Sequence, residues 1–76
     1  MPTGTEIIIL DELAVRPGIS LDQLKEDLAN EVTRPGLIAP TARGLVDKGL
    51  IRVTDRGEWF TTARGRTLLR GEAGEI

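Results

Sequence analysis

Ten side chains in this sequence carry a positive charge, and eight of them fall between residues 33 and 70: Arg34, Arg43, Lys48, Arg52, Arg56, Arg64, Arg66 and Arg70. The same stretch holds three acids, Asp47, Asp55 and Glu58. Residues 1–32 invert the balance, with Arg16 and Lys25 against Glu6, Asp11, Glu12, Asp22, Glu26, Asp27 and Glu31. Glu72 and Glu75 follow near the end. The three segments therefore carry −5, +5 and −2, a sorting that the net charge of −2 conceals. A guanidinium is a planar fork of donors matched to phosphate and carboxylate, so clustered arginines are chemistry for holding an anion. Sorted charge signals a partner where the sum does not.

The chemistry of bond making is missing. The chain has no His and no Cys. That removes the usual general base, the thiolate nucleophile and the commonest metal ligands. There is no phosphate-cradling loop and no carboxylate pair at a credible spacing. Asp11-Glu12 and Glu26-Asp27 read as solvated helix faces. No catalytic, cofactor or metal site is expected, and an enzyme is not. Seventy-six residues make one domain with a modest core. The longest aliphatic run, Ile7-Ile8-Ile9-Leu10, is far below the roughly 18 residues of a membrane span. The N-terminus lacks the positive flank of a signal peptide. A soluble, cytoplasmic protein with no membrane partner is the expectation.

The elements that would carry the cations follow from periodicity and punctuation. Residues 1–4 read as a frayed lead, 5–70 as the domain and 71–76 as a flexible tail. Helix 1 is expected from about Thr5 to Val15, with Ile7, Leu10 and Ala14, then Ile8 and Val15, at three- and four-residue spacing. Arg16-Pro17-Gly18 stops it. Ser20 and Gln23 fit a capping box that opens helix 2, with Ile19 as a staple and Leu21, Leu24 and Leu28 inward. Arg34-Pro35-Gly36 signals a turn. Pro40 suits a first helical position, so helix 3 is expected from Pro40 to about Lys48; a rival parse starts it at Thr33 and kinks it at Pro40. Ala42, Leu45 and Val46 would face inward; Thr41, Arg43, Gly44, Asp47 and Lys48 would face away. Strands follow over Ile51–Thr54, with Ile51 and Val53 inward, and over Glu58–Thr61, joined by the hairpin signal Asp55-Arg56-Gly57. Thr62 caps a last helix from Ala63 to about Arg70. The expected fold is mainly α with a small two-stranded antiparallel β-wing.

Three segments resemble the winged helix-turn-helix of MarR-like and PadR-like transcription regulators. Leu45-Val46-Asp47-Lys48-Gly49-Leu50-Ile51 resembles the end of their recognition helix and first wing strand. Thr62-Ala63-Arg64-Gly65-Arg66 resembles the Thr-x-x-Gly-Arg that opens their post-wing helix. Pro17-Gly18-Ile19-Ser20-Leu21-Asp22-Gln23-Leu24 resembles their turn between helices 1 and 2. The likeness spans about residues 5–70 and is one of fold. Thr61 departs from it, standing where those proteins place a leucine; so does a long connection between helices 2 and 3.

The resemblance implies a sequence-specific binder of double-stranded DNA, with helix 3 in the major groove and the wing on the backbone or minor groove. Thr41 and Arg43 would read bases near the start of helix 3, with Gly44 allowing close approach. Arg34, Lys48, Arg52, Arg64 and Arg66 would contact phosphates, and Arg56 at the wing tip would reach the minor groove. A homodimer would use helix 1 or the tail carrying Ile76. The alternative is a winged-helix module that docks a protein partner, such as RNA polymerase or another regulator. It would use the acidic helices 1 and 2, or whichever of Trp59 and Phe60 stays exposed, since adjacent strand residues face opposite sides.

Overall fold

The computed structural model describes residues 4–72, with the side chain of Glu72 outside the description; the expected lead over 1–3 and the tail over 73–76 lie outside the described residues. Four helices, α1 (Gly4–Val15), α2 (Leu21–Leu28), α3 (Ile38–Asp47) and α4 (Ala63–Glu72), surround one antiparallel ribbon of β1 (Ile51–Val53) and β2 (Trp59–Thr61). A 3-10 turn over Pro35–Leu37 leads into α3.

Helix α1 is the hub, packed against α2, α3, α4 and β2. Its buried face is Glu6, Ile9, Leu10 and Leu13; of the expected face Leu10 is in the core and Ile8 packs against it, but Ala14 is exposed and Val15 is 69% exposed. A helix that reads Ile-Ile-Ile-Leu offers more than one apolar stripe, and tertiary contacts choose between them. The stripe chosen includes a glutamate, which pattern reading would not bury. Leu24 and Leu28 of α2, Ile38, Ala42 and Leu45 of α3, and Ile51 and Trp59 of the ribbon complete the core.

Ser20 caps α2 by accepting from the Gln23 N–H at 3.1 Å. The Gln23 side chain does not reach back to complete the box. It donates forward to Asp27 at 2.8 Å, where a carboxylate is a stronger acceptor. Helix α3 starts two residues before Pro40. The first-turn N–H groups of a helix have no internal partner, so Pro40 in the third position removes no bond. The helix ends in a complete left-handed cap. Gly49 takes φ +77° and donates to Val46 O at 3.0 Å, and Leu50 donates to Leu45 O at 3.0 Å.

The ribbon pairs Ile51 with Thr61, Arg52 with Phe60 and Val53 with Trp59. Ile51, Trp59 and Thr61 are buried on its inner face. Val53 shares that face but is 38% exposed, because the ribbon's end runs out past the helices. A third short segment covers β2's other edge: Gly18 N donates to Trp59 O at 2.9 Å, and Trp59 N donates to Ile19 O at 3.0 Å. At the turn, Gly57 (φ +77°) donates to Thr54 O at 3.0 Å. The Thr54 hydroxyl accepts from Arg56 N and Glu58 N at 3.3 and 3.2 Å, which stiffens the wing.

The Thr62-to-Arg66 segment is a joint. Thr62 Oγ1 accepts from Gly65 N at 3.1 Å and donates to Gly49 O at 2.9 Å. Thr62 N donates to Leu50 O at 3.0 Å. Thr61, buried where a leucine would be expected, satisfies its hydroxyl on Leu10 O at 2.7 Å. A Cβ on Gly65 would overlap the Leu50 carbonyl oxygen and lie 2.7 Å from Thr61 Cγ2. Both neighbours are fixed, so Gly65→Ala is expected to cost about 2 kcal/mol or more, the scale of overpacking a tight interior. Urea denaturation of the two proteins measures it, and an unchanged midpoint would refute this packing.

Candidate nucleic-acid interface

The basic residues divide into those the fold has engaged and those it has not. Lys48, at the C-cap of α3, donates to Glu6 at 2.9 Å; Glu6 is only 11% exposed. Arg66 donates to Thr61 O at 2.8 Å. The Arg64 Nη1 would lie 3.6 Å from a Cβ on Gly49, which places its charge over the carbonyl end of α3, the favourable end for a cation. Lys48 and Arg66, of the expected phosphate set, thus tie α3 to α1 and α4 to the ribbon, whereas Arg64 is exposed and makes no ion pair or hydrogen bond among the described residues.

Arg34, Arg43, Arg52 and Arg56 are exposed and make no ion pair among the described residues. Arg34 precedes the 3-10 turn, ahead of α3. Within α3, Ile38, Ala42 and Leu45 are fully buried, which turns Pro40, Arg43 and Asp47 outward, with Gly44 at the border. A Cβ on Gly44 would meet nothing within 4 Å, so this glycine leaves the helix surface low rather than serving the core. Thr41 is half-buried on the flank of α3. Arg56 stands in the hairpin turn at the wing tip. Arg52 lies on the ribbon's outer face with its guanidinium 4.8 Å from the centroid of the Phe60 ring. Trp59 is a core residue at 7% exposure, which leaves Phe60 as the aromatic side chain on the outside. That stack was not legible in composition; it needs the register that sets Arg52 opposite Phe60.

The acids of the first two helices do not all stand in solvent. Glu12 of α1 and Asp27 of α2 face one another, at 17% and 16% side-chain exposure. Arg16 bridges them, 3.7 Å from Glu12 and 3.5 Å from Asp27. Burial first, and then a hydrogen bond to Asp27, push the Glu12 carboxyl above its ordinary range, against the pull of Arg16. Among the described residues no group of three or more His, Cys, Asp or Glu could hold a metal ion, and no helix is long and apolar enough to cross a membrane.

The solved structure of a multiple antibiotic-resistance repressor (MarR) from Listeria monocytogenes 4b F2365 superposes on this chain with a TM-score of 0.77. The fold is a winged helix. The likeness covers 93% of this chain at 22% sequence identity. It covers 50% of the repressor, so the chain spans about half the length of the protein it resembles. No family profile and no curated protein sequence matches the chain. The winged-helix order runs α1, the Gly18-Ile19 segment, α2, α3, the β1–β2 wing and α4, so α3 is the helix that leads into the wing.

The Glu12 site yields a pH dependence. The folded chain keeps this proton to a higher pH than the unfolded chain, so its stability falls as pH rises from the ordinary carboxylate value through the raised one. Glu12→Gln preserves the neutral form. It is expected to add up to about 1 kcal/mol at neutral pH, a screened charge contact's worth, and almost nothing at about pH 4. Thermal melts at the two pH values check this; equal effects at both would show that the carboxyl titrates normally.

Proposed function

We propose that this chain is a DNA-binding domain of the transcription-regulator type, with α3 in the major groove and the wing on the backbone or minor groove. The observation that carries the reading is the division of the cations on a winged-helix fold. Arg34 ahead of α3, Arg43 on its outward face and Arg56 on the wing make no ion pair and no side-chain hydrogen bond among the described residues, and Arg52 on the ribbon is held by the Phe60 ring alone. Arg66 of α4 and Lys48 at the end of α3 are engaged within the fold, on Thr61 O and Glu6, while Arg64 of α4 is unpaired among the described residues. Because α3 passes through Lys48–Leu50 into β1 and packs on it, its outward face and the ribbon form one unit that can follow a groove.

In this reading Arg43 donates its fork to guanine, Thr41 flanks it, and the bare surface at Gly44 lets the base edges approach. Asp47, one turn further along the same face, would accept from a cytosine amino group or penalise a phosphate there. Arg34 and Arg52 hold phosphates, and Arg56 enters the minor groove. One such module contacts few base pairs, so an operator read by it would need two copies or a larger protein around it. Docking to a protein is the second reading. Trp59, now a core residue, no longer supports it, and Val15, Leu37 and Val53 are the large apolar side chains left exposed.

Binding to a mixed-sequence duplex across a salt series tests the proposal. Two or three phosphate contacts, from Arg34, Arg52 and Arg56 where the wing meets the backbone, predict that log affinity falls with log salt at a slope of about −2 to −3. Arg56→Ala should flatten the slope by about one, and Arg43→Ala should relax the preference selected from a randomised duplex pool. Arg66→Ala should leave the slope alone. Absence of binding at low salt would transfer the assignment to a protein partner.

A further inference from the structure

The outer face of the ribbon holds a three-part stack. Phe60 projects from β2 on the face opposite the buried Trp59 and Thr61, and is half-buried there. On one side is Gly18, at the edge of the third segment. A Cβ on Gly18 would come 3.5 Å from the ring's Cζ, and its φ of +86° already favours glycine there. Arg52, directly across from Phe60 in the register, places its guanidinium carbon 4.8 Å from the ring centroid.

We propose that Phe60 is a positioning residue for Arg52, holding the guanidinium in one pose ready for a duplex phosphate. The inference rests on the DNA-binding reading. A guanidinium stacks through its face and donates hydrogen bonds through its edge, so ring and phosphate do not compete for it. An unrestrained arginine would lose rotamer freedom when it takes a phosphate; here the ring imposes that restriction on folding, before the ligand arrives. Arg52 makes no ion pair among the described residues, so the stack is the partner that fixes it. Gly18, whose N–H donates to Trp59 O, ties the first interhelical turn to the wing beside the ring. Phe60 touches no DNA in this arrangement and acts through Arg52.

The test is a double-mutant cycle on the full chain, read as affinity for a labelled mixed-sequence duplex at fixed salt, with urea denaturation of every variant alongside. Phe60→Leu should weaken binding about two- to fivefold, the worth of an exposed cation–ring contact. Phe60→Tyr should restore it. In the Arg52→Ala background Phe60→Leu should change nothing further. Arg52→Lys leaves the ring in place but loses the planar stack; it should cost as much as Phe60→Leu, and the two together should cost no more than either. Equal losses from Phe60→Leu with and without Arg52, or no loss at all, would overturn the positioning role. A wild-type chain that fails to bind the duplex at low salt would overturn the DNA-binding reading itself, and the inference with it.

Discussion

The Leu50 carbonyl oxygen lies directly beneath Gly65, and that approach is the constraint the rest of the molecule is built around. It brings the start of α4 onto the junction between α3 and β1 at a distance only glycine permits. The two threonines ahead of it finish the joint, Thr61 on α1 through Leu10 O and Thr62 on the end of α3 through Gly49 O. Three helices and the ribbon are thereby fixed to one another by short threonine side chains and by backbone, each bond ending on a main-chain carbonyl. The spacing between α3 and the wing is set by this joint, and a groove-following surface needs that spacing to be rigid.

The charges divide along the same lines. Two cations near this joint are used to hold it, Lys48 on Glu6 and Arg66 on Thr61 O. Arg34, Arg43 and Arg56, ahead of α3, on its outward face and on the wing, make no ion pair among the described residues, and Arg52 is stacked on a ring. The acidic half divides too. Glu6, Glu12 and Asp27 are turned into the contacts of α1 with its neighbours, whereas Asp11, Asp22 and Glu26 face water. The opposing net charges of the two halves thus overstate the charge either half has left for a partner.

Order and type of elements were legible because their signals are local. Ser20, Thr62 and Gly49 each act within one turn of chain, and Asp55-Arg56-Gly57 closes its own hairpin. The winged-helix resemblance rested on such segments and holds as a statement of fold. What was not legible depends on contacts between distant residues. The buried stripe of α1 could not be chosen without knowing that Glu6 meets Lys48, forty-two positions away. The bridge from Gly18-Ile19 to Trp59 gives no local signal, and without it Trp59 and Phe60 cannot be told apart. That Lys48 meets Glu6 and Arg66 meets Thr61 O, both from the expected phosphate set, was hidden for the same reason. A side chain's partner within the fold is invisible until the fold is known.

Titration of the isotopically labelled chain with a duplex, followed by backbone amide shifts, examines the proposed surface most directly. Shifts should gather on residues 34–47 and 52–57 and leave the outward face of α4 unmoved. Perturbation centred on α4, or on the acidic sides of α1 and α2, would contradict a duplex-binding face built from α3 and the wing.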